Sequence, residues 1–391
     1  MIKSYSIVLE EVDDHELALE ELKAQLSGIE LLKSSVGIVS VNKDFIFSGV
    51  YCAVAKAVPF PLAGSTSFSQ TVNGKIGTYL LSIMVLTSDD CEFACGLSDV
   101  VPEIDDVTEV TKKCYNNLQG TLGSEVKLTL LYPPFMFNHY PNQYIRAISE
   151  IDERVPVFGT LPNGEVIDVT TDARVLYGEH IYGDKMVMIL VSGNVSPSFY
   201  IGSATKESIV LPNVGVITSA EGNCLREING TSTVKFFEKM KFGLENVKET
   251  NILSKTFLMD EKDENGEIIS SVTKSLIGIE GGSYFFGCGL QIGSNVSIVA
   301  FTGDVVMASA KDVVKRIKEN HSGGIILIYS CIGRLVALTS EPMKEFKFLN
   351  ENLESFSYVA TCSGGEICPT SVTKAKAINN EHNETLIACV L

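Results

Sequence analysis

Two stretches of this chain carry the same order of features. "VPFPLAGSTSF", a polar passage, "LLSIMVLTS" and "CEFACGLS" run from Val58 to Ser98. "RVPVFGTLPNGE", a polar passage, "KMVMILVSG" and "SFYIGSA" run from Arg154 to Ala204. Each is a strand ending in Gly-[Ser/Thr], a turn-rich excursion, a long apolar strand and a short aromatic-glycine strand. Identity is low, but the order agrees over about 45 residues, which indicates a duplication. A weaker third echo, "FSYVATCSGGEICPT" and then "ETLIACVL", closes the chain.

Short apolar strands alternate with amphipathic helices around these units. "HELALEELKAQLSG" has helical spacing at Leu17, Leu19, Leu22 and Leu26, with Gly28 as a stop. "DFIFSGVYCAVAKAV" reads as one helix, and "LLSIMVLTS" with "CEFACGLS" as an antiparallel pair. The alternation implies an α/β fold: two mixed-sheet modules with helices packed on the sheets, the first internally duplicated. A boundary falls near residue 205, giving modules at 1–205 and 206–391. The second opens with hairpins, one turning at Asn265-Gly266. In "SAKDVVKRIKENHSGG" a capping box at Ser309 and Asp312 starts a helix that Gly323 ends, and "IILIYS" follows as a buried strand.

Composition narrows the partners. With 45% hydrophobic and 20% charged residues the chain is globular, and 391 residues suit two or three domains. A net charge of −17 sets nucleic acid and anionic membrane aside. No apolar run approaches the roughly 20 residues that span a bilayer. "MIKSYSIVLEEVDD" lacks a signal-peptide core, so the expectation is a cytoplasmic protein. The ten cysteines, among them Cys52, Cys288 and Cys389, sit mostly in apolar context, as free thiols do in a reducing compartment. Cys91 and Cys95 lack the second pair a zinc site needs, so no metal is expected.

In mixed sheets ligands gather where strands end and loops fan out. By that reading "GSTS", "GTLPNGE", "SCIGR" and "CSGGE" surround one pocket. The candidate ligand-binding residues are therefore Gly64, Ser65, Thr66, Gly159, Thr160, Cys331, Gly333, Arg334 and Glu366. Arg334, at the end of a dry strand, either caps structural carbonyls or clamps a ligand carboxylate or phosphate. Glu366 either accepts from turn amides or from a ligand ammonium. A pocket holding both suits a zwitterion. Cys331 lacks a following helix signal and reads as a poor nucleophile. His382 is a hydrogen-bonding residue or, alternatively, an axial haem ligand, with His180 and His139 weaker in that role. No Walker loop or dinucleotide fingerprint occurs, and "GCGLQIG" sits inside a strand run. The paired carboxylates of "SDDCE", "PEIDD" and "EIDE" read as solvated turns or helix starts.

"AGSTS", "MVLTSDD", "VPVFGTLPNGE", "YSCIGR", "GGEICP" and "HNETL", in that order, resemble the FIST-domain family of bacterial and archaeal signal-transduction sensors. The resemblance covers nearly the whole chain, as an N-terminal and a C-terminal sensory module. It implies a small-molecule ligand, amino-acid-like or otherwise anionic or zwitterionic, and no catalysis. The alternatives are a haem-based nitric oxide sensor, or an enzyme using Cys331 or Glu366. Family members are often fused to output domains. This chain ends at "LIACVL", so a separate output protein is expected to carry the signal. It also departs at Ala360 to Ile367, where "ATCSGGEI" lacks an aromatic that many members have.

Overall fold

The computed structural model describes residues 2–101, 107–136, 139–166, 170–204, 208–240, 256–262, 266–280, 283–287 and 289–391. Cys288 and residues 263–265, Asn265 of the expected hairpin among them, lie outside this set.

The repeated unit occurs three times. The first holds strand β1 (Lys3–Leu9), helix α1 (His15–Leu26), β2 (Ser34–Val41), helices α2 (Lys43–Phe47) and α3 (Val50–Ala57), β3 (Leu62–Thr66), a small hairpin β4 (Gln70–Val72) and β5 (Lys75–Gly77), and β6 (Leu81–Ser88). The second holds β7 (Cys91–Val100), α4 (Thr108–Gln119), β8 (Val126–Tyr132), α5 (Pro141–Ser149), β9 (Val157–Thr160), the hairpin β10 (Val175–Tyr177) and β11 (His180–Tyr182), and β12 (Lys185–Gly193). The third begins with β13 (Ser198–Gly202). An insertion follows: β14 (Ile209–Glu221), β15 (Cys224–Ile228), β16 (Thr231–Ser232), α6 (Thr233–Lys239), β17 (Thr256–Lys262), β18 (Ile268–Glu280), β19 (Ser283–Phe286) and β20 (Asn295–Val299). The unit resumes with α7 (Gly303–Asn320), β21 (Ile325–Cys331), α8 (Ile332–Ala337), α9 (Lys344–Asn352), β22 (Ser357–Ser363), the hairpin β23 (Glu366–Val372) and β24 (Ala377–His382), and β25 (Leu386–Val390).

Each unit keeps four strands for its own sheet and gives its hairpin away. The sheets run β1-β6-β2-β3-β10-β11, β24-β23-β9-β8-β12-β7 and β13-β25-β21-β22-β4-β5. The second unit's hairpin thus extends the first sheet, the third extends the second and the first extends the third. The exchange closes a triangular prism. Alternation along the long strands explains their unbroken apolar runs, because both faces are covered. Val187, Ile189 and Val191 of β12 face a central core that also takes Val36, Met84 and Leu327 from the other two sheets. Met186, Met188 and Leu190 face outward, under α4 and α5.

Gly64 and Gly159 occupy equivalent places in this scheme. Gly64 lies beside Val39 and Leu176, and Gly159 beside Leu131 and Ile367. A Cβ on Gly64 would lie 1.8 Å from the Val39 carbonyl oxygen, and one on Gly159 would lie 1.9 Å from that of Leu131. Both positions need glycine for close backbone approach.

Four local expectations are corrected. The long strands β6 and β7 are consecutive but belong to different sheets, since each unit passes its chain to the next face. The expected helix over "DFIFSGVYCAVAKAV" is broken at Gly49, whose φ of 82° ends one helix and starts another. Helix α7 begins six residues before Ser309, with Thr302 as its N-cap, and Ser309 is a buried interior residue. Cys331 is followed at once by α8, so it does sit at a strand-to-helix corner.

The insertion forms its own antiparallel sheet, β14-β20-β17-β18-β19-β15-β16, and a further β14–β15 pairing closes it into a small barrel. Phe237, Phe257, Tyr284 and Phe286 fill it. Residue 205, where a module boundary was expected, lies outside the described residues. Among the described residues, no helix is long and apolar enough to cross a membrane.

Candidate functional site

The turns that end β3, β9, β21 and β22 meet in one place. Ser67 Oγ donates to the Cys362 carbonyl at 2.9 Å, and Asn163 Nδ2 donates to the same oxygen at 2.8 Å. The Thr66 carbonyl accepts from the Asn163 amide at 3.2 Å. Thr160 Oγ1 lies 2.7 Å from Ser363 Oγ. Thr66 and Thr160 therefore lie at one junction with Ser67, Asn163, Cys362 and Ser363, and that junction is tightly hydrogen-bonded. Ser65, Thr66, Thr160, Cys331 and Glu366 are all buried.

Arg334 takes the structural role. It is fully buried on α8, and its partner is Glu345 of α9, not Glu366. Nε lies 3.1 Å from Glu345 Oε1, and Nη2 makes a second, closer contact to that carboxylate. The remaining donors reach the Glu384 carbonyl at 3.2 Å, the Val306 carbonyl at 3.0 Å and Ser309 Oγ at 3.0 Å. Such a guanidinium is satisfied by the protein itself. Glu345 was missed because, eleven residues downstream, it looks like any acid near the start of an amphipathic helix.

Glu366 is different. Its Oε2 accepts from Thr385 Oγ1 at 2.8 Å and from the Thr385 amide at 3.3 Å, but Oε1 meets no donor at hydrogen-bond geometry. Glu384 repeats the pattern: Oε2 accepts from Thr256 of the barrel, and Oε1 is unpartnered. Burial is the main influence on both. It raises Glu366 from an ordinary 4.5 to about 8 and Glu384 to about 7, against smaller opposing effects of nearby hydroxyls. Glu384 also holds a φ of 56°, uncommon for a residue with a side chain. Glu384 was legible only as part of "HNETL", without a role.

Cys331 stands between these two carboxyls. Burial, then the charges of Glu366 and Glu384, push its thiol well above its usual 9. A thiol held protonated in this way is a poor nucleophile. Gly333 is the wall beside it. A Cβ there would lie 3.3 Å from Glu384 Cγ and 3.8 Å from Cys331 Sγ. The other side of Gly333 faces a cleft of about 490 Å³ between α7 and α8, also lined by Thr302, Gly303, Ser340 and Lys344.

The haem alternative does not fit the residues offered for it. His382 is buried in β24 with Nε2 3.0 Å from the Cys368 carbonyl, so it presents no axial ligand as it stands. His139 packs beside Gln143, and His180 is exposed in a hairpin. Among the described residues, no group of three or more histidines, cysteines or acids is placed to hold a metal ion.

A family model described as the FIST N domain matches residues 35–231, and one described as the FIST C domain matches residues 247–369. No curated protein matches the chain. The solved structure of cyanuric acid hydrolase from A. caulinodans aligns over 100% of this chain and 99% of its own, at 8% identity and a TM-score of 0.33.

Proposed function

The chain belongs to the FIST family of sensory domains, and from that premise we propose that it is a non-catalytic receptor for a small amino-acid-like molecule, passing its signal to a separate output protein. One observation carries the reading. Glu366 and Glu384 are buried on either side of Cys331, one residue behind an open cleft, and each keeps an oxygen, Oε1, that its neighbours (Ser363 and Cys331 for Glu366, Ser275 for Glu384) approach without reaching hydrogen-bond geometry. Buried polar atoms are nearly always hydrogen-bonded, so leftover acceptors mark a place where something else belongs. Two carboxyl oxygens call for a donor, such as a ligand ammonium or amide. Lys344 in the cleft is already paired with Glu341 at 2.7 Å, with Asp304 also on the lining, so a ligand carboxylate would share that lysine. With Arg334 engaged elsewhere, the zwitterion reading rests on these groups instead. The buried thiol of Cys331 supports a binding role over an enzymatic one, and the acidic surface supports a cytoplasmic protein without nucleic-acid or membrane partners.

The test is thermal unfolding of the native protein against a panel of amino acids and their amides, beside mass spectrometry of small molecules released on denaturation. A ligand that stabilises the protein but not Glu384→Gln or Glu366→Gln supports the reading. A ligand that stabilises all three equally places the site elsewhere. No released molecule and no stabilising compound would remove the receptor function at this site.

A further inference from the structure

Phe47 and Tyr79 are the two aromatic side chains left exposed among the described residues, at 63% and 60%. They come from different elements and line the same open pocket, of about 390 Å³. Phe47 ends α2, Tyr79 lies in the turn between β5 and β6, and Val12, Asp13, Asp44 and Ser48 complete the lining. Val12 packs back onto the outer core of the first unit. The acids of this corner divide by what they already do. Glu10 pairs with Lys75, Glu11 accepts from the amides of Asp13 and Asp14, and Asp14 caps α1. Among the described residues, the carboxylates of Asp13 and Asp44 have no hydrogen bond or ion pair, and these are the two that line the pocket. The nearby cation is engaged: Lys43 lies 5.5 Å from the Phe47 ring centroid, paired with Glu165 at 2.5 Å and 3.8 Å from Asp172.

Exposed aromatics gathered in one pocket are what protein interfaces use as anchors. The surrounding charge decides what this pair fits. Carboxylates without a cation attract one by simple Coulomb force, and the ring faces beside them attract it through their quadrupoles. A purely apolar segment would instead desolvate both carboxylates without compensation. A net charge of −17 steers basic partners towards the whole chain. We propose that this surface docks a partner protein through a basic segment, an arginine or lysine beside an apolar side chain. Its placement suits signalling. The β4–β5 hairpin that leads to Tyr79 is held on the third sheet by β22, whereas Phe47 belongs to the first unit. A shift of one unit against the other would therefore change the spacing of the two rings. The surface gives the output protein a place to dock, yet it does not depend on the Glu366 and Glu384 site, and either can fail without the other.

The experiment is calorimetry of the full chain with a short capped peptide of alternating leucine and arginine, beside matched peptides carrying citrulline or glutamate in place of arginine. Saturable binding of the arginine peptide is expected, about tenfold or more tighter than the citrulline peptide, with none of the glutamate peptide. Phe47→Ala and Tyr79→Ala, at exposed positions, should each weaken it about tenfold. Asp13→Asn with Asp44→Asn should weaken it and flatten its dependence on salt. Wild-type affinity in both aromatic variants would reduce the binding to the general negative charge of the chain and overturn the proposal. No saturable binding, or equal binding of the arginine and citrulline peptides, would overturn it too. Tetramethylammonium binding as tightly as the peptide would make this a small-cation pocket instead. Self-association of the wild type that is lost in Phe47→Ala would make the occupant a second copy of the chain, and the partner reading would fall.

Discussion

Two groups of buried charge lie within a few residues of the end of β21, and they are solved in opposite ways. On the α9 side, Arg334 has a carboxylate, two carbonyls and a hydroxyl within reach of its donors. On the barrel side, Glu366 and Glu384 each keep one oxygen without a partner. Burial is equal in the two places, so burial by itself does not separate structure from function. Unused hydrogen-bonding capacity does. A closed network specifies the fold, whereas an open one leaves room for a visitor.

The largest expected effect belongs to the closed side. Arg334→Met should destabilise the protein by about 3–5 kcal/mol, because it strands the buried carboxylate of Glu345. Combining it with Glu345→Leu should recover much of that loss, as the second charge is removed too. Urea unfolding of the wild type and both variants measures it. A mild single variant, or a double variant no better than the single, would erase the contrast between the two sides.

The open side should reveal itself through pH. Each carboxyl binds its proton more tightly in the folded chain than in the unfolded one. Its contribution to stability is therefore full below the ordinary 4.5 and is lost as pH rises through about 7 for Glu384 and about 8 for Glu366. From pH 5 to 9 the wild type should lose about 6 kcal/mol more than a variant carrying Glu366→Gln and Glu384→Gln. At pH 5 the two should be nearly alike. Parallel stability curves for the two proteins would mean the carboxyls are as well accommodated as Arg334 is.

The prism itself supplies a third test, since its three units solve one problem with different residues. Where Gly64 and Gly159 sit, the third unit has Ala360, paired with Ile328 and Thr71 in the same register. Gly159→Ala should cost about 1–3 kcal/mol or more, because the clash is with a backbone carbonyl and not a flexible side chain. Gly64→Ala should cost about the same. Chemical denaturation reads both. If either alanine is tolerated as Ala360 is, the register equivalence of the first two units fails.

These contrasts also mark what the sequence could reveal. The repeats were legible because each long strand is apolar on both faces and the short strand before it has a Gly-[Ser/Thr] end that demands small residues. The exchange of hairpins was not. A pairing between β4 and β22 links residues almost three hundred positions apart, and "QTV" has no pattern that names its partner. The assignment of β6 and β7 to one sheet failed for the same reason. At the site, the convergence of four strand-end turns could be read from their shared chemistry. The identity of each charge's partner could not, because Glu345 and Glu384 are ordinary acids until the fold brings them to Arg334 and Cys331.

The smallest effects should sharpen the comparison most, since they delete one hydroxyl on each side. Thr385→Val removes the hydroxyl that donates to Glu366 Oε2 while keeping the side chain's shape. Ser309→Ala removes one acceptor from Arg334 Nη2. Each should cost about 1 kcal/mol near pH 5. Their pH dependence should differ. The Thr385 hydroxyl serves the ionised carboxylate better than the protonated acid, so its loss pushes the Glu366 carboxyl still higher and costs more as pH rises towards 9. There the penalty should approach the 1.5–3 kcal/mol or so typical of bonds to charged groups. The guanidinium keeps its charge over the whole range, so the Ser309→Ala penalty should stay level. Paired urea titrations at pH 5, 7 and 9 decide the matter. A level penalty at Thr385 would mean that Glu366 does not change its charge in the folded protein over this range, and the case for an open, titrating pair at the end of β21 would be lost.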